Sequence, residues 1–395
     1  MRTHNGQVNS ARAPLWQRAV LCLALGTLAA CADDPTARER PAPSSSAETQ
    51  AAEWRTAPPA ELGLDPGVLE DVAAAAGAGR SKCLLVVRDG RIAGEWYFDG
   101  TGAEIRHPVF SVTKSITSTL VGVAQDEGVL DVEDPAADWI PSWAGTPSGK
   151  VAVRNLLAND SGREWSTTLD YSQLVRSADM TRFAVGLGQS APPGTTWAYN
   201  NSAIQTLEAV LQSATGEDVA AYAREHVFGP LGMDDTFMAH DAAANAMVYA
   251  GVTSTCRDLA RFGLMMLGQG RSGDHQIVSS QWVESATGRS STRLNAAYGY
   301  LWWLNRRGPL LGPLPDSFLA GQQAAPRQPR GRLVPGAPAD IFWAIGLGNQ
   351  IVQVDPGSGT VVVRLGDVGG PRGPAGFGPD DTARVVTEGV VAKVP

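Results

Sequence analysis

The chain has 395 residues, 43% apolar and 18% charged, a globular mixture long enough to bury a core rather than a disordered or fibrous one. A net charge of −8 excludes the basic footprint that nucleic-acid binding requires. Among the 32 basic residues only Lys82, Lys114, Lys150 and Lys393 are lysines. Of these, Lys114 alone sits in an apolar run, where a lysine, unlike an arginine, can lose its proton.

Residues 1–30 read as an export signal: Arg2, Arg12 and Arg18 precede an apolar run over 19–30. That run is too short to span a bilayer, and no later segment reaches the ~20 apolar residues a membrane helix needs. Loss of its three arginines takes the net charge from −8 to −11. The run ends Leu28-Ala29-Ala30-Cys31, similar to the lipobox of bacterial lipoproteins, in which the cysteine is lipidated and becomes the new N-terminus. The alternative is plain cleavage after Ala32 and a soluble periplasmic protein. Residues 31–53, rich in Pro, Ser and Ala, suit a flexible tether. The expected location is therefore the bacterial cell envelope, with a lipid at Cys31 as the only membrane contact. Cys22 leaves with the signal, so Cys83 and Cys256 remain in the folded part, residues 54–395. In an oxidising compartment they are expected to pair, the alternative being two separate buried thiols.

Asp65-Pro66 predicts a helix to about Ala78, with Asp as N-cap and Pro in the first turn. Cys83 to Val87 and Ile92 to Phe98 read as strands, joined through Asp89-Gly90 in a tight hairpin. Helical spacing covers Ser111 to Gln125, Ile204 to Thr215, Asp218 to His226 and Ser254 to Leu267. Strands return at Ile341 to Ile345, Ile351 to Val354 and Thr360 to Leu365, and Asp380 to Val391 predicts a closing helix. Strands at both ends and helices between them predict one sheet (about 80–100 and 341–367) with a helical insert over about 111–295. Residues 305–340 form a long Gly/Pro/Arg-rich loop.

No Gly-x-Ser-x-Gly elbow, phosphate loop or His-Glu-x-x-His occurs, and the histidines lack ligand spacing. No metal or other cofactor is expected, and a nucleophile here needs a base other than histidine. Ser111-Val112-Thr113-Lys114 supplies one, because i and i+3 share a helix face. On that helix Ser111, Lys114, Ser115 and Ser118 fall on one side, with Val112, Ile116, Leu120 and Val123 opposite. Chance alone would give about 0.3 such Ser-x-x-Lys motifs, but two further elements accompany it. Tyr199-Asn200-Asn201 follows the turn at Pro192-Pro193-Gly194, and Gly346-Leu347-Gly348-Asn349 ends a strand where backbone amides can approach a substrate closely.

In this order the three motifs resemble those of the β-lactamase-related serine hydrolases: class C β-lactamases, D-alanyl-D-alanine carboxypeptidases, family VIII carboxylesterases and 6-aminohexanoate-dimer hydrolases. The last group is the most similar. Supporting positions run from residue 54 to 367 and include Ser161-Gly162, Trp197 to Tyr199, Pro230 to Met233, Asp258 to Gly263 and Tyr298 to Trp303. The resemblance implies an α/β (α+β) fold of the β-lactamase/transpeptidase type, with an antiparallel sheet from both chain ends. It implies an acyl-enzyme at Ser111, with Lys114 and Tyr199 as base and acid and Asn201 orienting Lys114. The amides of Ser111 and Asn349 would form the oxyanion hole. Trp165, Tyr171, Trp197, Trp302 and Trp303 are candidates for an acyl pocket. Where β-lactamases carry Lys-Thr-Gly, this chain has Gly346-Leu347-Gly348, without the cation that steadies a β-lactam carboxylate. The expected substrates are therefore small esters or amides. β-Lactamase or D-Ala-D-Ala carboxypeptidase activity, or an inactive binding lipoprotein of the same fold, are the alternatives.

Overall fold

The computed structural model describes residues 53–313, 330–368 and 376–391. The signal, the lipidation site at Cys31, the tether to residue 52 and residues 314–329 of the long loop lie outside the described residues. Helix α1 (Pro66–Ala78) starts as its sequence predicts, with the Asp65 carboxylate accepting from the Gly67 and Val68 amides. Strands β1 (Ser81–Arg88) and β2 (Arg91–Tyr97) follow. Asp89 and Gly90 both adopt positive φ, 50° and 70°, as a tight hairpin requires.

The remaining strands of the main sheet come from the C-terminal part of the chain: β3 (Trp303–Leu304), β4 (Phe342–Gly346), β5 (Gln350–Asp355) and β6 (Thr360–Gly366). The six-stranded antiparallel order is β2-β1-β6-β5-β4-β3, so the two chain ends meet where β1 pairs with β6. Side-chain alternation divides the core between the two faces of the sheet. Leu84, Val86 and Val362 point to one face, against Leu69, Val72 and Val385 of α1 and the closing helix. Leu85, Val87, Val361 and Val363 point to the other, against the helical insert.

Between these strands run α2 (Val112–Asp126), α3 (Asn201–Thr215) and α4 (Cys256–Leu267), and the chain closes with α5 (Pro379–Thr387). Helix α4 lies directly on the sheet. A Cβ at Gly263 would fall 2.6 Å from Val361, so only glycine permits the approach. Cys256, the first residue of α4, is disulfide-bonded to Cys83 of β1 across a sequence separation of 173. Closing so long a loop is worth on the order of 4–5 kcal/mol in chain-entropy terms.

Three local expectations are corrected. The segment from 218 to 226 is not one α-helix but an α-turn (Val219–Ala223) followed by a π-turn (Arg224–Phe228). Ser254 ends a short strand, and α4 begins after Thr255, whose hydroxyl caps it. The closing helix stops at Thr387. In helix α2 every residue from Val112 to Ala124 is buried. Its polar side packs on loops, Ser115 donating to the Leu301 carbonyl and Thr117 to the Val248 carbonyl.

Candidate active site

Ser111 is the N-cap of α2, and the residue before it, Phe110, has φ 48°. A left-handed phenylalanine costs on the order of 1–2 kcal/mol, a strain held at the point where the chain turns to aim the serine. The Lys114 ammonium, one helical turn on, lies 2.8 Å from Ser111 Oγ and 2.8 Å from the Tyr249 carbonyl. The Tyr199 phenol faces the same Ser111 hydroxyl, which partly offsets the rise in its pKa, and Lys114 Nζ stands 4.9 Å from the Tyr199 ring. Sequence-distant segments thus converge on one hydroxyl.

Burial sets the electrostatics. Lys114 is 1% exposed, and desolvation pulls its pKa down to about 7 against the opposing charge of Asp170. Burial pushes the Tyr199 phenol upward, partly offset by its bond to Ser111. Near neutral pH the lysine therefore loses its proton readily, whereas the phenol keeps its own. That difference suits the pair to the roles of base and proton donor.

Two expected roles shift. Asn201 makes no hydrogen bond to Lys114 among the described residues; its Oδ1 is buried without a partner, and its side chain faces the Tyr171 phenol. The group that orients Lys114 is the Tyr249 carbonyl, which no side-chain motif announces. Asn349 is also displaced. With Gly348 it forms the turn between β4 and β5, both at positive φ, and its side chain donates to the Phe377 carbonyl. Arg364 binds the Asn349 carbonyl and anchors on Ser81 and Gly79, fixing that turn to the start of β1. The strand residue against the nucleophile is Gly346, where a Cβ would lie 3.2 Å from the Ser111 nitrogen and 2.2 Å from the Val109 carbonyl oxygen. Glycine is required there by close approach. The next residue, Leu347, is half exposed, and its amide, like that of Ser111, donates to no other group among the described residues.

The aromatic candidates separate by location. Trp303 stacks on Tyr199 at 5.8 Å, and Tyr298 meets both edge-on. Trp197 closes the group against Tyr298 and Trp303. Trp165 donates its indole N–H to the Tyr199 carbonyl and to Asp170. Tyr171 is exposed at the surface while its hydroxyl turns toward Asn201. Trp302 belongs to the core, between Phe262 and Phe342. Asp170, which the sequence reading missed, is fully buried beside this group. Glu217, Glu225 and His226 form the one cluster among the described residues with metal-like proximity, on the surface and on other elements.

The fold defines one protein class, and comparison with known proteins gives the same one: the chain belongs to the beta-lactamase family, whose model matches residues 69–383. Within it, the chain is 27% identical over 263 residues to 6-aminohexanoate-dimer hydrolase of Paenarthrobacter ureafaciens, covering 58% of this chain and 66% of that one. It is 26% identical over 133 residues to penicillin-binding protein 4* of Bacillus subtilis, covering 32% and 29%. The match thus spans just under two thirds of the first relative's length and under a third of the second's. A family VIII carboxylesterase structure superposes with a TM-score of 0.61 at 16% identity, covering 85% of this chain and 97% of that one. That likeness is one of fold.

Proposed function

We propose that the protein is a serine hydrolase of small, uncharged esters or amides, acting through an acyl-enzyme at Ser111. The observation that carries this reading is the convergence of Lys114 Nζ and the Tyr199 hydroxyl on Ser111 Oγ, in surroundings that favour a neutral lysine. Ser111 Oγ attacks the substrate carbonyl carbon while its proton passes to Lys114. Collapse of the tetrahedral intermediate breaks the bond to the leaving alcohol or amine, which receives that proton through the Tyr199 hydroxyl. Water then attacks the acyl ester, gives its proton to the same pair, and releases the acid and free Ser111. The oxyanion is held by the Ser111 amide and, in place of Asn349, by the Leu347 amide, worth about 3–4 kcal/mol per donor.

Substrate class follows from the wall beside the nucleophile. Gly346, Leu347 and Gly348 carry no cation, so a substrate carboxylate there would be desolvated without a partner. The exposed Leu347 and the aromatic group around Tyr199 suit an alkyl or aryl acyl chain instead. The Paenarthrobacter relative is named for hydrolysis of the 6-aminohexanoate dimer, which is joined by an amide, and this brings amides beside esters as candidate substrates. Wild-type protein should be labelled at Ser111 by a fluorophosphonate and should show higher kcat/KM for p-nitrophenyl butyrate than for the anionic β-lactam nitrocefin. Absence of labelling would favour a non-catalytic binding protein, and faster nitrocefin turnover would overturn the substrate assignment. Export with lipidation at Cys31 is part of the same proposal, and a Cys31→Ala variant should lose metabolic palmitate labelling.

A further inference from the structure

Asp170 has no role in the motifs that pointed to the site, yet its carboxylate is fully buried and accepts four hydrogen bonds. The Asn201 amide reaches Oδ2 at 2.6 Å and the Trp165 indole N–H reaches it at 3.1 Å. The Ser202 amide and hydroxyl reach Oδ1 at 3.1 Å and 2.7 Å. The three N–H partners can only donate, so each asks for a lone pair, and a proton on Oδ2 would meet donors already in place, while the Ser202 hydroxyl can also accept. Three of the four come from Asn201 and Ser202, the first residues of α3, and the fourth from Trp165, whose N–H also holds the Tyr199 carbonyl at 3.0 Å. Asp170 lies on a π-turn, Leu169–Gln173, that brings it inward while Tyr171 stays exposed.

We infer that Asp170 is a positioning residue for the reaction proposed above: it ties the start of α3 to the Trp165 loop so that the Tyr199 hydroxyl stays on Ser111 Oγ, and it supplies the buried negative charge that faces Lys114 when that lysine takes the serine proton. The inference rests on the serine-hydrolase reading. The groups around Lys114 are few. Ser111 lies on its own helix, Tyr199 precedes α3, the Tyr249 carbonyl and ring face it from the adjoining loop, and Asp170 and Tyr171 come from the π-turn. Asp170 is the single charged residue in that set. Burial raises its own pKa, opposed by the Ser202 hydroxyl, the Asn201 and Ser202 amides and the Lys114 charge.

A purely structural carboxylate and a positioning one differ in what they do to the pH profile. Removing a negative charge beside Lys114 makes its protonated form harder to keep, so the acidic limb of kcat/KM should move to lower pH. In Asp170→Asn that limb is expected to fall by about half a pH unit or more, while kcat drops about tenfold to a hundredfold at unchanged KM. Asp170→Glu should return the limb toward the wild-type position. An Asp170→Asn enzyme with an unmoved limb, or with the loss confined to KM, would overturn the inference. If Asp170→Asn does not fold, Trp165→Phe removes only the shared N–H. It should lower kcat about threefold to tenfold, the scale of one hydrogen bond, and an unchanged kcat overturns the inference equally. Fluorophosphonate labelling of wild-type Ser111, run alongside, reports separately on the serine-hydrolase reading.

Discussion

Two buried titratable side chains, Lys114 and Glu208, reach the same pKa region from opposite sides. Lys114 is drawn down to about 7 by burial, and Glu208 on α3 is pushed up to about 7 by the same cause. Both are 1% exposed. Their surroundings differ in kind. Lys114 bonds the Ser111 hydroxyl and a carbonyl and faces one opposite charge. Neither Glu208 oxygen has a hydrogen bond of good geometry, the Thr181 hydroxyl gives its charge some support, and Asp241, Asp218 and Asp179 repel it. A perturbed pKa alone therefore marks burial. It marks chemistry only where a reacting group and a way to stabilise the product charge accompany it.

The largest expected effect sharpens the first half of that comparison. Ser111→Ala should lower kcat by about 10⁴-fold or more and abolish fluorophosphonate labelling. Its thermal midpoint should stay close to wild type, since Lys114 keeps the Tyr249 carbonyl. Substantial residual turnover would show that another nucleophile acts.

A smaller effect tests which of the two groups governs activity. If neutral Lys114 is the base, kcat/KM for p-nitrophenyl butyrate rises about tenfold per pH unit below pH 7 and levels above it. Glu208→Gln should leave that limb in place. A limb that moves with Glu208, or a rate that falls as pH rises through 7, would break the assignment.

How much of this was legible beforehand depends on how local the signal is. The Asp65 cap, the Asp89-Gly90 hairpin and the alternation in β1 and β6 are encoded within a few residues, and they describe the sheet correctly. Ser111, Lys114 and Tyr199 could be read because the chemistry needs particular side chains at set spacing. The contacts that complete the site could not. The Tyr249 carbonyl is backbone, present at every residue and informative only once the chain is folded. Asp170 looks like any acidic residue in a polar stretch until the π-turn buries it. The family resemblance puts an oxyanion donor at Asn349, whereas Gly348 and Asn349, both at positive φ, form a turn that sequence spacing does not show. Spacing shows which side chains of α2 share a face, but not the loops that cover it.

The smallest effect belongs to Glu208 and concerns stability rather than rate. Its carboxyl ionises near 4.5 in the unfolded chain and near 7 in the fold. Between those values the folded state binds more protons than the unfolded state, so stability falls as pH rises from 4.5 to 7 and the cost is complete above 7. The shift corresponds to at most about 3 kcal/mol. Glu208→Gln removes the charge but leaves polar atoms to bury, so the realised gain should be about 1–2 kcal/mol, or a few degrees in the thermal midpoint. That gain should appear at pH 8 and vanish near pH 3, where the wild-type carboxyl is protonated in both states. Thermal melts of both proteins at the two pH values make the comparison. A stabilisation equal at both would assign the effect to packing, and destabilisation at pH 8 would mean that the glutamate charge has a partner after all.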